Sequence, residues 1–113
     1  MSDMDFNSYQ FRAAKTAIYP KEDLQGLLYT TLGLVSEAGE VAGKVKKIIR
    51  DDKSVISPDR HEQLIDELGD VLWYCAMVAD ELGITLGYAA ERNISKLEDR
   101  QNRNVIGGSG DNR

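Results

Sequence analysis

Leu64–Val71 reads LIDELGDV, and thirty residues earlier Leu34–Val41 reads LVSEAGEV. Each stretch presents a Glu, two intervening residues and a second acid: Glu37 with Glu40, and Glu67 with Asp70. Residues three apart share a helix face, so each pair points one way from its own helix. Between the repeats, Ile49–Ser57 (IRDDKSVIS) interrupts the apolar pattern with a charged run, and Ser57-Pro58 supplies an N-cap followed by proline at the first helical position. The reading is an antiparallel helical hairpin. Glu40 lies ten positions before Arg50 and Glu67 ten after Ser57. At about 1.5 Å of rise per residue, each stands roughly 15 Å from the turn, so the two acid pairs come level.

The hydrophobic pattern agrees. At about 100° per residue, Leu27, Thr31, Leu34, Ala38, Val41, Val45 and Ile48 form one stripe, and Leu64, Leu68, Val71, Cys75, Val78 and Leu82 form another. The first Glu of each pair borders its stripe and the second acid lies one step further round. Facing stripes would bring four carboxylates to one edge of the interface. Without a cation, their repulsion and partial burial would raise their pKa values. An all-oxygen set lacking His and Cys suits a hard divalent ion, Mg²⁺ with Mn²⁺ as a substitute. The plainer alternative is two solvated helix faces with Glu40 and Lys44 as an ordinary i,i+4 pair, a reading that explains either pair alone better than two level copies.

A chain of 113 residues forms one domain, and a helical hairpin of this size would finish its core with another subunit. The net charge of -5 disfavours a general nucleic-acid binder. Cys75 falls on the apolar stripe and reads as a small packing residue. MSDMDFNSYQ lacks the basic and apolar regions of a signal peptide, and nothing resembles a membrane span. The expected compartment is the cytoplasm.

Periodicity predicts a first helix from Phe6 to about Ile18, a second from Lys21 or Leu24 to Arg50, a third from Pro58 to about Leu82 with Gly83 as its left-handed stop, and a fourth from Thr85 to about Asn102. The fold class is therefore all-α, one domain over 1–106 with a flexible glycine-rich tail at 107–113. Gly39 and Gly69 hold equivalent places between the two acids of each repeat, where a glycine costs up to about 1 kcal/mol against Ala; close approach of a helix or a ligand would offset that. Trp73 and Tyr74 either wall a pocket for a flat base or pack against a neighbour. Asn93, Lys96 and Arg100 share a face of the last helix and either hold phosphate, sugar or base or form a hydrophilic edge.

Glu37-x-x-Glu40, followed after 26 residues by Glu67-x-x-Asp70, resembles the signature of the all-α nucleoside triphosphate pyrophosphohydrolases, the MazG-like group. GLVSEAGEV, DELGDVLWY, NISKLEDR and the closing GDNR extend the resemblance over most of the chain. It implies a four-helix-bundle type fold completed by a homodimer or homotetramer. It also implies Mg²⁺-dependent cleavage of a nucleoside triphosphate between the α and β phosphates, to monophosphate and pyrophosphate. By position, Glu37, Glu40, Glu67 and Asp70 match the metal-binding acids, and Asn93 and Lys96 match a segment that contacts nucleotide in relatives. Glu37 or Glu40 is the expected general base; Trp73, Asn93, Lys96 and Arg100 are the expected substrate contacts, with no nucleic-acid polymer or membrane as partner. Two rivals share the helical architecture: a phosphoribosyl-ATP pyrophosphohydrolase and a non-catalytic module assembled by metal. A di-iron bundle wants Glu-x-x-His pairs, which the single His61 does not supply.

Overall fold

The computed structural model of the chain describes residues 4–113. Four helices and no strand occur among them: α1 (Phe6–Ala14), α2 (Gln25–Asp51), α3 (Pro58–Glu81) and α4 (Leu86–Asn102). Asp5, Ser57 and Thr85 cap α1, α3 and α4, each accepting a hydrogen bond from the main-chain N–H three residues on. α3 stops as its sequence suggests: Gly83 has φ +71°, its N–H donates to the Asp80 carbonyl, and the Ile84 N–H donates to Ala79.

Two boundaries differ from expectation. α1 ends at Ala14 rather than near Ile18, because the Thr16 hydroxyl and N–H both donate to the Ala13 carbonyl (2.7 and 2.9 Å) and draw the chain into a turn. α2 begins at Gln25 because Asp23 takes φ 52°, a left-handed conformation that interrupts a helix.

The hairpin is real, but its seam is rotated from the apolar stripe. α2 meets α3 through Gly26 beside Glu81, Gly33 beside the Tyr74 ring, and Lys44 beside Glu67. Buried Thr30 lies on this line, its hydroxyl returned to the Gly26 carbonyl (2.9 Å). A side chain at Gly26 or Gly33 would collide with Glu81 or Tyr74, so small residues set the close approach of the helices. At the turn, Arg60 Nε donates to Asp52 Oδ2 (2.9 Å). Of the residues expected at the interface, Thr31, Ala38, Val45, Leu68 and Leu82 are exposed. Gly39 and Gly69 likewise have nothing within 4 Å of a modest side chain's position among the described residues. No close approach among the described residues therefore explains these two glycines.

The core lies to one side, where Ala13 and Tyr19 pack with Ala76 and Met77 of α3 and with half-buried Trp73 and Leu86. Buried Gln10 joins three helices: its amide nitrogen donates to Asp80 (2.6 Å) and to the Ile84 carbonyl (3.0 Å), and its oxygen accepts from the Leu86 N–H (2.7 Å). Asn7 similarly accepts from Gly87 N–H (3.1 Å). These two amides satisfy the start of α4.

On the outer side of the hairpin, Leu28, Leu32, Val35 and Leu68 are each at least 60% exposed. The chain exposes 8365 Å², against about 6,200 Å² for a compact monomer of this mass. Its radius of gyration is 17.0 Å, against about 13 Å.

Candidate functional site

Glu37, Glu67 and Asp70 each place a carboxylate oxygen within 4.8 Å of the others. Glu37 and Glu67 are half-buried and Asp70 is exposed. The small residues of the seam account for the convergence: with Gly33 and Tyr74 in contact, Glu37 on the next turn of α2 comes level with Asp70 on the preceding turn of α3. Glu40 is exposed and outside this triad. Its charge nonetheless acts on Glu37, three residues before it on α2.

Loss of solvent pushes the Glu37 carboxyl above its usual range, and repulsion from Asp70, Glu67 and Glu40 adds to the shift. The nearest opposing charge is Lys44, whose Nζ lies 3.6 Å from Glu67 Oε1. Lys44 thus bridges the two helices at the edge of the acids. A hard divalent cation fits the donor set: three converging carboxylates without nitrogen or sulfur, one of them strained electrostatically by the other two.

Glu37 and Asp70 share a cleft of about 320 Å³ with Trp73 and Tyr74. Trp73 is held edge-on to Tyr74 (4.9 Å between centroids, 83°) and to Tyr19 (6.3 Å, 85°), and Tyr19 stacks on Tyr29 (5.2 Å, 11°). Its Nε1–H donates to Thr16 Oγ1 (2.9 Å), while the Tyr19 hydroxyl donates to Glu81 (3.0 Å). Burial raises the Tyr74 hydroxyl's pKa, with nearby Tyr29 adding to it, so Tyr74 enters the cleft as a neutral donor.

The model of the MazG nucleotide pyrophosphohydrolase domain matches residues 25–105, from the first turn of α2 to just beyond α4, leaving α1 outside the match. The chain belongs to this family. The chain is also similar to the Gene 37 protein of Mycobacterium phage L5, 49% identical over 114 residues that cover 97% of this chain and 100% of that protein. No solved structure matches.

The remaining contacts expected of a MazG domain lie elsewhere in this chain. Asn93 and Lys96 line a separate cleft of about 660 Å³ with Leu82, Ile84, Tyr88, Ala89 and Arg92. Arg100 is 4% exposed and, like Lys96, is engaged by Asp111. The segment expected as a loose tail is therefore bonded to the last helix. Sequence reading did not reach Thr16 or Tyr19, which position Trp73 from the turn after α1: an isolated Thr and a Tyr before Pro20 give no periodic signal. The contact of Lys44 with Glu67 was not legible, because i,i+4 spacing points to Glu40 and says nothing about what crosses the hairpin.

Proposed function

We propose that the protein is a Mg²⁺-dependent nucleoside triphosphate pyrophosphohydrolase that converts an NTP or dNTP to the monophosphate and pyrophosphate, removing unwanted nucleotides from the pool. The convergence of Glu37, Glu67 and Asp70 beside an aromatic cleft carries this reading, together with membership of the family.

In this mechanism Glu37, Glu67 and Asp70 hold the metal, with Glu40 at the outer edge of the set. Bound Mg²⁺ supplies charge neutralisation for the triphosphate and for the charge that develops on displacement. Glu40, exposed and outside the tight triad, or Glu37, at the cleft shared with Trp73 and Tyr74, orients and deprotonates the attacking water. Trp73 offers its ring to the base, and Tyr74 donates a hydrogen bond beside it. Lys96 and Arg100 hold phosphate oxygens and Asn93 the sugar or base, reached when subunits bring the last helix of one copy toward the acids of another. The exposed Leu28, Leu32, Val35 and Leu68 form the face on which that second copy packs. About 2,000 Å² of surface beyond that of a compact monomer is on the scale that permanent subunit contacts bury.

The test is product analysis with each common NTP and dNTP, with Mg²⁺ and with excess chelator. Monophosphate and pyrophosphate appearing only with metal are expected, and Glu40→Gln should reduce turnover; unchanged turnover and metal dependence in that variant would remove Glu40 from the site. Hydrolysis of phosphoribosyl-ATP alone would favour the histidine-synthesis enzyme instead. Loss of the oligomer on chelation, with no product from any nucleotide, would favour a non-catalytic module.

A further inference from the structure

Lys96 and Arg100 stand four residues apart on α4, so their cationic groups leave the helix on one side. A guanidinium as deeply buried as that of Arg100, 4% exposed, requires a compensating partner. Asp111 provides it: Arg100 Nη2 donates to the Asp111 carbonyl (2.9 Å) and to its carboxylate Oδ1 (3.3 Å), and Lys96 Nζ reaches the same Oδ1 at 3.1 Å. Hydrogen bonds from Lys96 and then Arg100 hold the Asp111 carboxyl below its usual range, so it is ionised at neutral pH. Yet the Asp111 side chain is itself 80% exposed. One carboxylate at the surface thus covers two cations, one of them at depth.

The loop that delivers Asp111 has its own internal framework. Just beyond α4, Asn104 takes φ 60° and the Val105 N–H donates to the Arg100 carbonyl. Gly108 and Gly110, at φ 92° and 83°, then turn the chain back. Arg113 donates to the carbonyls of Val105 (3.2 Å), Ile106 (3.1 Å) and Gly110, and Arg103 donates to the Arg113 main-chain oxygen (2.7 Å). None of those bonds involves the Asp111 side chain. In the exchange, the incoming anion takes over from Asp111 the compensation of the buried Arg100 guanidinium. A phosphate group presents more charge and more acceptor oxygens to Lys96 and Arg100 than one carboxylate does.

We propose that Asp111 is a displaceable internal occupant of an anion site built by Lys96 and Arg100, and that the phosphate oxygens of pyrophosphate or of a nucleoside triphosphate compete with it. The inference rests on the nucleotide reading given above and adds that the chain carries its own stand-in for the ligand. The competition lowers the apparent affinity of the site by the fraction of molecules in which Asp111 is engaged.

The experiment is titration calorimetry of the full chain and its Asp111→Asn variant with inorganic pyrophosphate and, separately, with a non-hydrolysable triphosphate analogue. The variant should bind at least one of them about three- to tenfold more tightly, and adding Lys96→Met should abolish the gain. A gain with pyrophosphate alone assigns the site to the leaving group; a gain with the analogue includes substrate phosphates. Arg113→Ala loosens the loop without touching either cation, and it carries the same expectation if Asp111→Asn fails to fold. Unchanged or weaker binding in both variants, or no pyrophosphate or analogue binding by any form, overturns the proposal. Because binding is read without turnover, this outcome is separable from failure of the hydrolytic reading, which shows as absence of monophosphate from the unaltered protein.

Discussion

Two clusters of like charge occupy the molecule, and the chain treats them differently. At the hairpin, Glu37, Glu67 and Asp70 converge, Lys44 pairs with Glu67, and Glu37 is left with a raised pKa. On α4, Lys96 and Arg100 share a carboxylate from the chain's own following segment. A cluster whose counter-charge is supplied internally needs nothing added to be neutralised. One whose counter-charge is incomplete stores repulsion that an external ion can relieve, and that repulsion becomes differential affinity for the ion.

The largest expected effect breaks the acidic side of the contrast. Glu67→Gln or Asp70→Asn should lower nucleotide turnover by about a hundredfold or more and erase the rise in melting temperature produced by Mg²⁺. Glu37→Gln sharpens the contrast by removing repulsion without removing bulk. A raised carboxyl pKa contributes stability below its ordinary range that is lost as pH climbs through the raised value. The metal-free protein should therefore gain melting temperature from Glu37→Gln, increasingly so toward neutral pH, in thermal scans run with chelator. A gain that did not grow with pH would mean that the acids do not strain one another.

Smaller effects concern the supports. Trp73→Phe keeps a ring in the cleft but loses the hydrogen bond to Thr16, at a cost of about 1 kcal/mol in stability, and nucleotide KM should rise as the ring is less firmly placed. The smallest effect lies on the basic side. The depressed pKa of Asp111 means its contribution is present above the ordinary carboxylate range and is lost as pH falls through the lowered value. Amide signals of residues 107–113 should therefore report release of the segment only at acid pH. Release near neutrality would contradict the pairing with Lys96 and Arg100.

The repeat LVSEAGEV/LIDELGDV made the hairpin and the level of its acids legible because spacing on a helix translates directly into direction. Rotation about each helix was not legible. Gly26, Thr30 and Gly33 form the line of contact, and small residues register as gaps in a hydrophobic pattern. The stripe of larger residues pointed to an interface, and several of its members, Leu68 and Val45 among them, remain uncovered within one chain. Glu37 lies in the converging triad while Glu40 stays exposed outside it, a difference that identical motif spacing cannot distinguish. The pairing of Arg100 with Asp111 was hidden for another reason: three glycines signal freedom, and the contacts of Arg113 and Arg103 that help fix the path of the chain follow no sequence period.

Gln10 bears on the order in which the molecule assembles. Its partners lie 70 to 76 residues further along the chain, whereas the turn joining α2 to α3 is closed by Asp52 and Arg60, eight residues apart. Distant closures are entropically dearer and arrive later than near ones. The hairpin is thus the natural nucleus, and the junction of α1 with α4 its last seal. In native-state hydrogen exchange, the main-chain N–H groups of Leu86 and Gly87 should open more readily than those in the middle of α3.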